Sequence, residues 1–452
     1  MPEIANPAIE RSDASTPEMA STPIGADEFA NVLSRLGPFE KRPRLAVAVS
    51  GGRDSMALTL LTAGWAQALG GEMVAVSVDH GLREGSPWEA AQVSKWLASH
   101  GIMHHTLTWT GTPGPGVLGM GASEATAREV RYTLLEEFCR ERGILHLLIG
   151  HHRDDQAETQ AMRRARGSGV IGSAGMPAVR ELGHVRILRP LLSFARKRTT
   201  ATLVARDQPW IDDPSNVDPR FTRARMRLDH SGTPDIDISA ATARQGFERE
   251  LAALAARAVM LHPAGFALLD PGFLLGVKSG LAKQLISNLV TCVGGAVYPP
   301  RGASLTRLCS LVMDGLVGRG LTLGGCVIRS GPVGRILFAR ELAGIAPPKA
   351  ITVTEGNASS VLWDGRFRVS VSNAGPLLGA VGQFIHGGAK EEDSLLGYGV
   401  LPHAVRMSLP AVGLCDRFRV CALPDMPGKV KSRPKAHFAP AFAVAGTIFA
   451  LP

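Results

Sequence analysis

The sequence is poor in cysteine and aromatic residues and lacks long hydrophobic runs. Its six cysteines lie far apart and never form a C-x-x-C pair, which argues against a zinc ribbon or a cysteine-bound cluster and favours reduced thiols. Aromatic residues make up only 5% of the chain, so nothing indicates a stacking platform for bases. No apolar run approaches the roughly 20 residues of a membrane span, and no secretory signal is evident. These absences predict a soluble, cytoplasmic protein without a membrane partner.

The chain is long and basic. Its 452 residues suffice for two or three domains with a large buried core, and its formal net charge of +9 favours a polyanionic partner. A run of charges is also typical of a solvated face. It therefore supports RNA binding only when other sequence motifs indicate an RNA substrate as well. The candidates for a stripe that faces RNA phosphates are Arg163, Arg164, Arg166, Arg196, Lys197, Arg198 and the arginines of 220–227.

Strand-like and helix-like segments alternate in the first half of the chain. The apolar, strand-like runs fall at 45–50, 73–79, 103–109 and 144–150. The helix-like stretches fall at 55–69, 87–100, 123–142 and 155–165. This alternation predicts an α/β fold in which helices cover both faces of a doubly wound parallel sheet.

Changes in composition and pattern predict four segments. Residues 1–26 are rich in Pro, Ser, Thr and Ala and are expected to form a disordered tail. The α/β domain is expected to span 27–232. A mixed α+β middle domain is predicted at 233–345, and a small strand-rich domain at 346–452, where Gly and Pro interrupt the pattern.

The stretch "AVSGGRDSMALTLL" at 48–61 places two glycines between a strand-like and a helix-like run. Such a turn exposes backbone N–H groups and the positive end of a helix dipole, which favours a phosphate. A P-loop would need Gly-Lys-Ser/Thr, and a dinucleotide fingerprint would need G-x-G-x-x-G; both are excluded. Gly51 and Gly52 would admit the phosphates, Ser50 and Ser55 would donate hydroxyls, and Asp54 would hold Mg²⁺. The alternative is an ordinary turn with Asp54 as a helix cap.

A second cluster, "GHHRDDQAETQAMRRARGSG" at 150–169, follows another strand-like run. If a helix begins near Asp155, then Asp155, Glu158 and Thr159 share one of its faces. Asp155 and Glu158 also read as an analogue of a capping box. A zinc site is disfavoured because no third ligand group has suitable spacing. His152 is therefore expected to orient substrate or Mg²⁺ together with a neighbouring aspartate.

The hexapeptide "SGGRDS" resembles the signature of the N-type ATP pyrophosphatases, or PP-loop enzymes, which cleave ATP between the α and β phosphates. Further motifs make the chain similar to the tRNA(Ile)-lysidine synthases over about 45–230. In order, the motifs are "SGGRDS", "VDHGLR", "SEATAREVRY", "GHHRDDQAET", "RGSG", "RPLL" and "WIDDPSN". The resemblance implies an adenine-nucleotide alpha hydrolase-like fold. The segments "HPAGFALLD" and "LTLGGCVIRSG" resemble the middle domain of that family.

That resemblance implies a two-step reaction on the wobble cytidine of tRNA(Ile) with a CAU anticodon. ATP adenylates oxygen 2 of the base, and the ε-amine of free L-lysine then attacks carbon 2 and displaces AMP. The implied cofactors are ATP and Mg²⁺. The implied catalytic residues are Asp54, Arg128, His152, Asp155 and Glu158, with Asp54 and Asp155 as metal ligands. The implied ATP-binding residues are Ser50, Gly51, Gly52, Arg53, Asp54 and Ser55.

The chain departs from the family pattern in two places. Ala224 in "TRARMR" stands where family members often have asparagine, and the last hundred residues, where the family contacts tRNA, match only faintly. Two other functions remain as alternatives: another PP-loop tRNA-modifying enzyme such as a thiolase, and an inactive tRNA-binding protein. The missing C-x-x-C pairs count against the first, and the complete phosphate loop counts against the second. The oligomeric state stays open, with a homodimer as one option.

Overall fold

In the computed structural model the chain divides into two compact units, with the boundary between Gln245 and Gly246. The sequence predicted boundaries after residues 232 and 345. None of the helices in the described part of the chain is long and apolar enough to cross a membrane. The structure describes residues 21–79, 86–109, 124–168, 170–212, 236–296, 298–300, 302–318, 320–351, 359–371, 376–391, 398–414, 416–423, 434–440 and 443–445.

The first unit is built on a six-stranded sheet in the order β3-β2-β1-β4-β6-β5. All neighbours are parallel except β5 and β6. The strands β1 to β6 are Arg44–Ala48, Glu72–Asp79, Met103–Thr108, His146–Ile149, Val179–Glu181 and Arg186–Leu188. The helices α1 to α7 are Ala26–Arg35, Arg53–Ala68, Ser86–Ser99, Glu124–Glu141, Arg153–Ala165, Val170–Ser173 and Arg196–Val204.

The alternation read from the sequence is confirmed for β1 to β4 and for α2 to α5, each within two residues of its expected bounds. The central strands are apolar because both faces of the sheet are covered: Leu45, Ala46 and Val47 are each at most 1% exposed. The last part of the predicted tail packs against this unit. Ile24 is buried, and its N–H donates to Thr202 Oγ1 at 2.9 Å.

Within its described residues, the second unit contains three sheets, in the orders β7-β8-β11-β10-β9, β12-β15-β17-β18-β16 and β13-β14-β19. The helices α8 to α12 are Ile238–Ala258, whose first residues belong to the first unit, Ser279–Gly294, Ala303–Met313, Val381–His386 and His403–Met407. The strands β7 to β19 are Val259–His262, Phe266–Leu269, Leu321–Leu323, Cys326–Ser330, Ile336–Arg340, Lys349–Ala350, Ser359–Trp363, Phe367–Val371, Leu377–Ala380, Lys390–Glu391, Pro410–Leu414, Arg417–Val420 and Lys435–Phe438.

The sheet that contains β11 lies between two hydrophobic cores of the second unit. Along β11, Ile336 and Phe338 pack into a core with α9, while Leu337 and Ala339 pack into a core with the later strands. This division follows from the alternation of side chains across a strand. Because both faces are buried, β11 is apolar at successive positions, as expected for a covered sheet.

The second unit contains a buried ion-pair network. Asp364 Oδ2 accepts hydrogen bonds from Arg340 Nε at 2.9 Å and Arg366 Nε at 2.7 Å. All three side chains are at most 8% exposed. Complete burial lowers the pKa of Arg366 to about 10, although the negative charge of Asp364 opposes the shift. Asp364 therefore supplies the negative charge that both buried guanidinium groups contact.

We predict that Asp364→Asn lowers the free energy of unfolding by about 3–5 kcal/mol, because it leaves two buried guanidinium groups without this counter-charge. Asparagine tolerates the left-handed backbone of this position, φ 51°. The substitution therefore removes the negative charge without straining the backbone. Urea unfolding measures the effect, with exposed Asp314→Asn as the control. Equal stability of the two variants would contradict the role given to Asp364.

Candidate active site

The two motifs singled out in the sequence lie side by side at the carboxyl edge of the first sheet. β1 ends at Ala48, before the glycine-containing loop, and β4 ends at Ile149, before the histidine-rich segment. The two strands are parallel neighbours, with Leu45 opposite His146. The strand order reverses here, since β2 and β3 lie beyond β1 whereas β6 and β5 lie beyond β4. Ligands of parallel α/β sheets bind at such a switch point.

The loop after β1 has a conformation that favours glycine. Gly51 has a φ of 83°, and a Cβ there would lie 2.7 Å from Val93 Cγ2 and 3.0 Å from Ile211 Cδ1. A side chain would therefore be strained and would collide with its neighbours. At the end of β4, a Cβ on Gly150 would lie 3.1 Å from the carbonyl carbon of Asp54. Gly150 therefore lets the two motifs approach each other, whereas Gly51 lets the loop pack against Val93 and Ile211.

Helix α2 presents its N-terminus to this edge of the sheet. Gly52 is the N-cap, and no described side chain caps this helix end, which leaves it suited to an anion. The Ser55 hydroxyl is used inside the loop: it donates to Gly52 O at 2.8 Å and accepts the Ser50 N–H at 3.1 Å. Ser50 is exposed, whereas Ser55 is buried. Ser55 thus braces the loop, and Ser50 has the more accessible hydroxyl.

Arg53 points to a different partner. Its Nη2 donates to Asp212 Oδ1 at 2.8 Å, and its guanidinium lies 5.4 Å from the centre of the Trp210 ring. Trp210 Nε1 donates to the other oxygen of the same carboxylate at 3.1 Å. Burial acts to raise the pKa of Asp212, but these two hydrogen bonds hold it below its ordinary value. Arg53 thereby ties the loop to the segment "WID" at 210–212.

Asp54, in the first turn of α2, is held by residues from two other helices. Its Oδ1 accepts a hydrogen bond of 2.6 Å from Thr199 Oγ1 on α7. Its Oδ2 lies 3.5 Å from His152 Nε2 and 3.9 Å from Arg196 Nε. Arg196 Nε is itself buried and makes no hydrogen bond. The N-terminal ends of α2, α5 and α7 therefore meet around one carboxylate, and their dipoles add positive potential there.

His152 is the N-cap of α5, so this helix begins two residues earlier than expected. Its Nδ1 accepts the Asp154 N–H at 3.1 Å, which leaves the proton of the neutral ring on Nε2. Nε2 lies between two carboxylates, 3.5 Å from Asp54 Oδ2 and 3.6 Å from Asp155 Oδ2. The buried imidazole thus joins the two motifs.

The capping box of α5 pairs His152 with Asp155, so the alternative interpretation of Asp155 and Glu158 as a capping-box analogue was wrong. Asp155 Oδ2 accepts the His152 N–H at 3.1 Å. The sequence pattern pointed to the wrong pair because histidine is an unusual N-cap residue. Glu158 is buried one turn further along α5, with 6% of its surface exposed. Arg128 lies on α4, but its side chain is outside those that the structure describes.

Two members of the predicted basic stripe form hydrogen bonds or an ion pair within the first unit. Arg163 Nη1 donates to the carbonyl oxygens of Gly172 and Gly175, and burial lowers the pKa of its guanidinium. Arg198 pairs with Glu28 at 2.6 Å. The exposed members of the stripe are Arg164, Arg166 and Lys197. The arginines at 220–227 lie outside the described residues.

Comparisons with known proteins agree with the motifs. The PP-loop domain family matches residues 25–230. A tRNA(Ile)-lysidine synthase of Ruegeria pomeroyi is 35% identical over 373 residues, which cover 79% of this chain and 85% of that protein. Proteins of the same name from Orientia tsutsugamushi and a Bradyrhizobium species are 30% and 33% identical, and the matches cover 78% and 95% of their lengths and 75% and 72% of this chain.

Proposed function

This chain belongs to the tRNA(Ile)-lysidine synthase family, and we propose that the residues around Asp54 ligate free L-lysine to the wobble cytidine of tRNA(Ile) with a CAU anticodon. The enzyme binds ATP and modifies tRNA. One observation carries the assignment of the site: Asp54 and Asp155 flank His152 Nε2 beside the uncapped N-terminus of α2. We place the reaction in the cytoplasm.

The first step is adenylation of the base. Oxygen 2 of the cytidine attacks the α-phosphorus of ATP, the bond to the bridging oxygen breaks, and pyrophosphate leaves. The N-terminus of α2 and the backbone of Ser50, Gly51 and Gly52 would bind the phosphates. Arg196, whose Nε is 3.9 Å from Asp54 Oδ2, would add a positive charge where negative charge develops on the leaving group.

The carboxylates suit Mg²⁺ bound together with a nucleotide. The described residues hold no group of three or more His, Cys, Asp or Glu side chains that could bind a metal alone. Mg²⁺ in nucleotide sites needs only one or two carboxylates because phosphates and water complete its shell. Asp54 and Asp155 would be those ligands. When bound, Mg²⁺ would neutralise the negative charge of the separating phosphates.

The second step is attack by lysine. The ε-amine forms a bond to carbon 2, the bond from carbon 2 to oxygen 2 breaks, and AMP leaves with that oxygen. Lysine arrives as an ammonium ion, so a carboxylate is needed to bind it and, acting as a base, to take up its proton. Glu158 is buried one turn beyond Asp155 on α5. We assign the ammonium to Glu158, with Asp155 and His152 beside it.

Incorporation of labelled lysine tests the function. Purified protein is incubated with ATP, Mg²⁺ and labelled lysine, and with a transcript of either tRNA(Ile) bearing CAU or the methionine tRNA. We expect label in the isoleucine tRNA alone, with pyrophosphate release, and none with Asp54→Ala. Pyrophosphate release without lysine incorporation would instead support another PP-loop modification. Binding of tRNA without pyrophosphate release would support an inactive binder.

The burial of Cys139 favours lysine ligation over sulfur transfer as the function of the first unit. It is the one cysteine among residues 1–245 and is fully buried. Burial raises its pKa to about 12, so its thiol is not a nucleophile at neutral pH. We predict that Cys139→Ala leaves lysine incorporation unchanged, at a cost of about 1 kcal/mol in stability. Loss of tRNA modification in the folded variant would favour a thiolase.

A further inference from the structure

Helix α7 places a buried hydroxyl against the carboxylate of Asp54. Thr199 is 0% exposed, and its Oγ1 lies 2.6 Å from Asp54 Oδ1 and 2.7 Å from the Arg196 carbonyl oxygen. A hydroxyl has one hydrogen to donate. The carboxylate is the stronger acceptor, and 2.6 Å is the length of a charge-assisted O–H···O⁻ bond. The Thr199 hydrogen therefore goes to Asp54.

This bond determines which way the carboxylate faces. The terminal torsion of an aspartate has broad minima, so its oxygens are easily rotated. With Oδ1 held by Thr199, Oδ2 is directed towards His152 Nε2 and Arg196 Nε. Asp54 would then present the same oxygen to a phosphate-bound Mg²⁺ in each turnover, at no cost of reorganisation during the reaction.

The position of α7 is itself coupled to the histidine motif. The Arg196 N–H, at the first residue of α7, donates to Asp154 Oδ2 at 2.8 Å. The Asp154 N–H in turn donates to His152 Nδ1 at 3.1 Å. A continuous set of contacts thus runs from the N-cap of α5 through α7 to the hydroxyl of Thr199. The N-terminal ends of α5 and α7 therefore together position the Thr199 hydroxyl.

We propose that Thr199 is a positioning residue for the reaction, whose hydroxyl orients the Asp54 carboxylate towards Mg²⁺ and the phosphates of ATP. The proposal rests on the function assigned above. Thr199 does not contact substrate; it acts through Asp54. Its removal is therefore expected to slow adenylation without altering the affinity for lysine.

Three variants of α7 test this role. Thr199→Val removes the hydroxyl and keeps the volume, and Thr199→Ser keeps the hydroxyl. Thr200→Val is the matched control, since the Thr200 hydroxyl bonds back to the Arg196 carbonyl oxygen at 3.3 Å. We expect Thr199→Val to lower kcat for pyrophosphate release by about tenfold to a hundredfold with an unchanged KM for lysine. Thr199→Ser should restore most of kcat, and Thr200→Val should match the wild type.

Binding of ATP provides a readout that does not depend on turnover. Calorimetric titration over a range of Mg²⁺ concentrations should show that Thr199→Val needs more Mg²⁺ for the same ATP affinity. In an Asp54→Ala background, Thr199→Val should have no further effect. If the wild-type protein fails to ligate lysine, that failure refutes only the proposed function. The binding measurement still tests the role of Thr199.

Three results would overturn the proposal. One is a wild-type kcat and Mg²⁺ dependence in Thr199→Val. Another is an equal loss in Thr199→Ser and Thr199→Val, which would attribute the effect to packing of the methyl group. The third is an additive effect of Thr199→Val in the Asp54→Ala background, because a residue that acts through Asp54 cannot matter once that carboxylate is gone.

Discussion

Asp54→Asn is expected to lower tRNA-dependent pyrophosphate release by about 10²–10³-fold. Asparagine keeps the shape of the side chain and can still accept the hydrogen bond from Thr199, so the variant isolates the negative charge. That charge is what would bind Mg²⁺ while the bond between the α and β phosphates breaks. Release of labelled pyrophosphate at saturating tRNA and ATP measures the effect.

Glu72→Gln is the matched control for this change. Glu72 is exposed at the start of β2 and pairs only loosely with Arg44, at 3.4 Å. It should lose neither activity nor thermal stability. If Asp54→Asn released pyrophosphate as fast as Glu72→Gln, the assignment of Asp54 to the phosphates would be wrong.

The second prediction separates the two acids of α5. Asp155→Asn should impair both steps, because the carboxylates of Asp155 and Asp54 lie 3.6 Å and 3.5 Å from the same His152 Nε2. Glu158→Gln should spare adenylation and lower kcat/KM for lysine by about 10²-fold, since a buried ammonium loses its charged partner. Adenylated tRNA should then accumulate in Glu158→Gln alone. Quenched reactions analysed for adenylated tRNA and for lysidine give both rates.

Glu137→Gln on α4, an exposed acid paired with Arg140, is the control for both α5 variants. Equal loss of adenylation in Asp155→Asn and Glu158→Gln would show that the two acids act as one metal-binding unit. Unchanged use of lysine by Glu158→Gln would remove that residue from the lysine site.

The sheet of the first unit could be predicted where its elements are long. β1 to β4 and α2 to α5 carry enough residues for apolar periodicity to appear in the sequence. β5 and β6 have three residues each, which is too few for any period, and they were missed. β6 depends on pairing with β4, a contact between distant parts of the chain that short-range patterns do not encode.

Part of the site could also be predicted, because some of its residues belong to local sequence signals. Glycines before a helix and clustered acids after a strand are local signals, and they indicated Asp54, His152 and Asp155 as candidates, which the structure brings together. Thr199 was missed because it meets Asp54 across 145 residues of sequence. Arg198 was grouped with RNA-facing residues because charge alone does not reveal its ion pair with Glu28, 170 residues away. Contacts between elements, rather than patterns within them, complete the site.

Oxygen labelling of the tRNA tests the central claim most directly. The isoleucine tRNA is prepared with heavy oxygen at position 2 of the wobble cytidine and incubated with the protein, ATP, Mg²⁺ and lysine. If the base is activated through oxygen 2, mass spectrometry will find the heavy oxygen in AMP and lysidine in the tRNA. Unlabelled AMP, with the heavy oxygen still in the tRNA, would contradict the account.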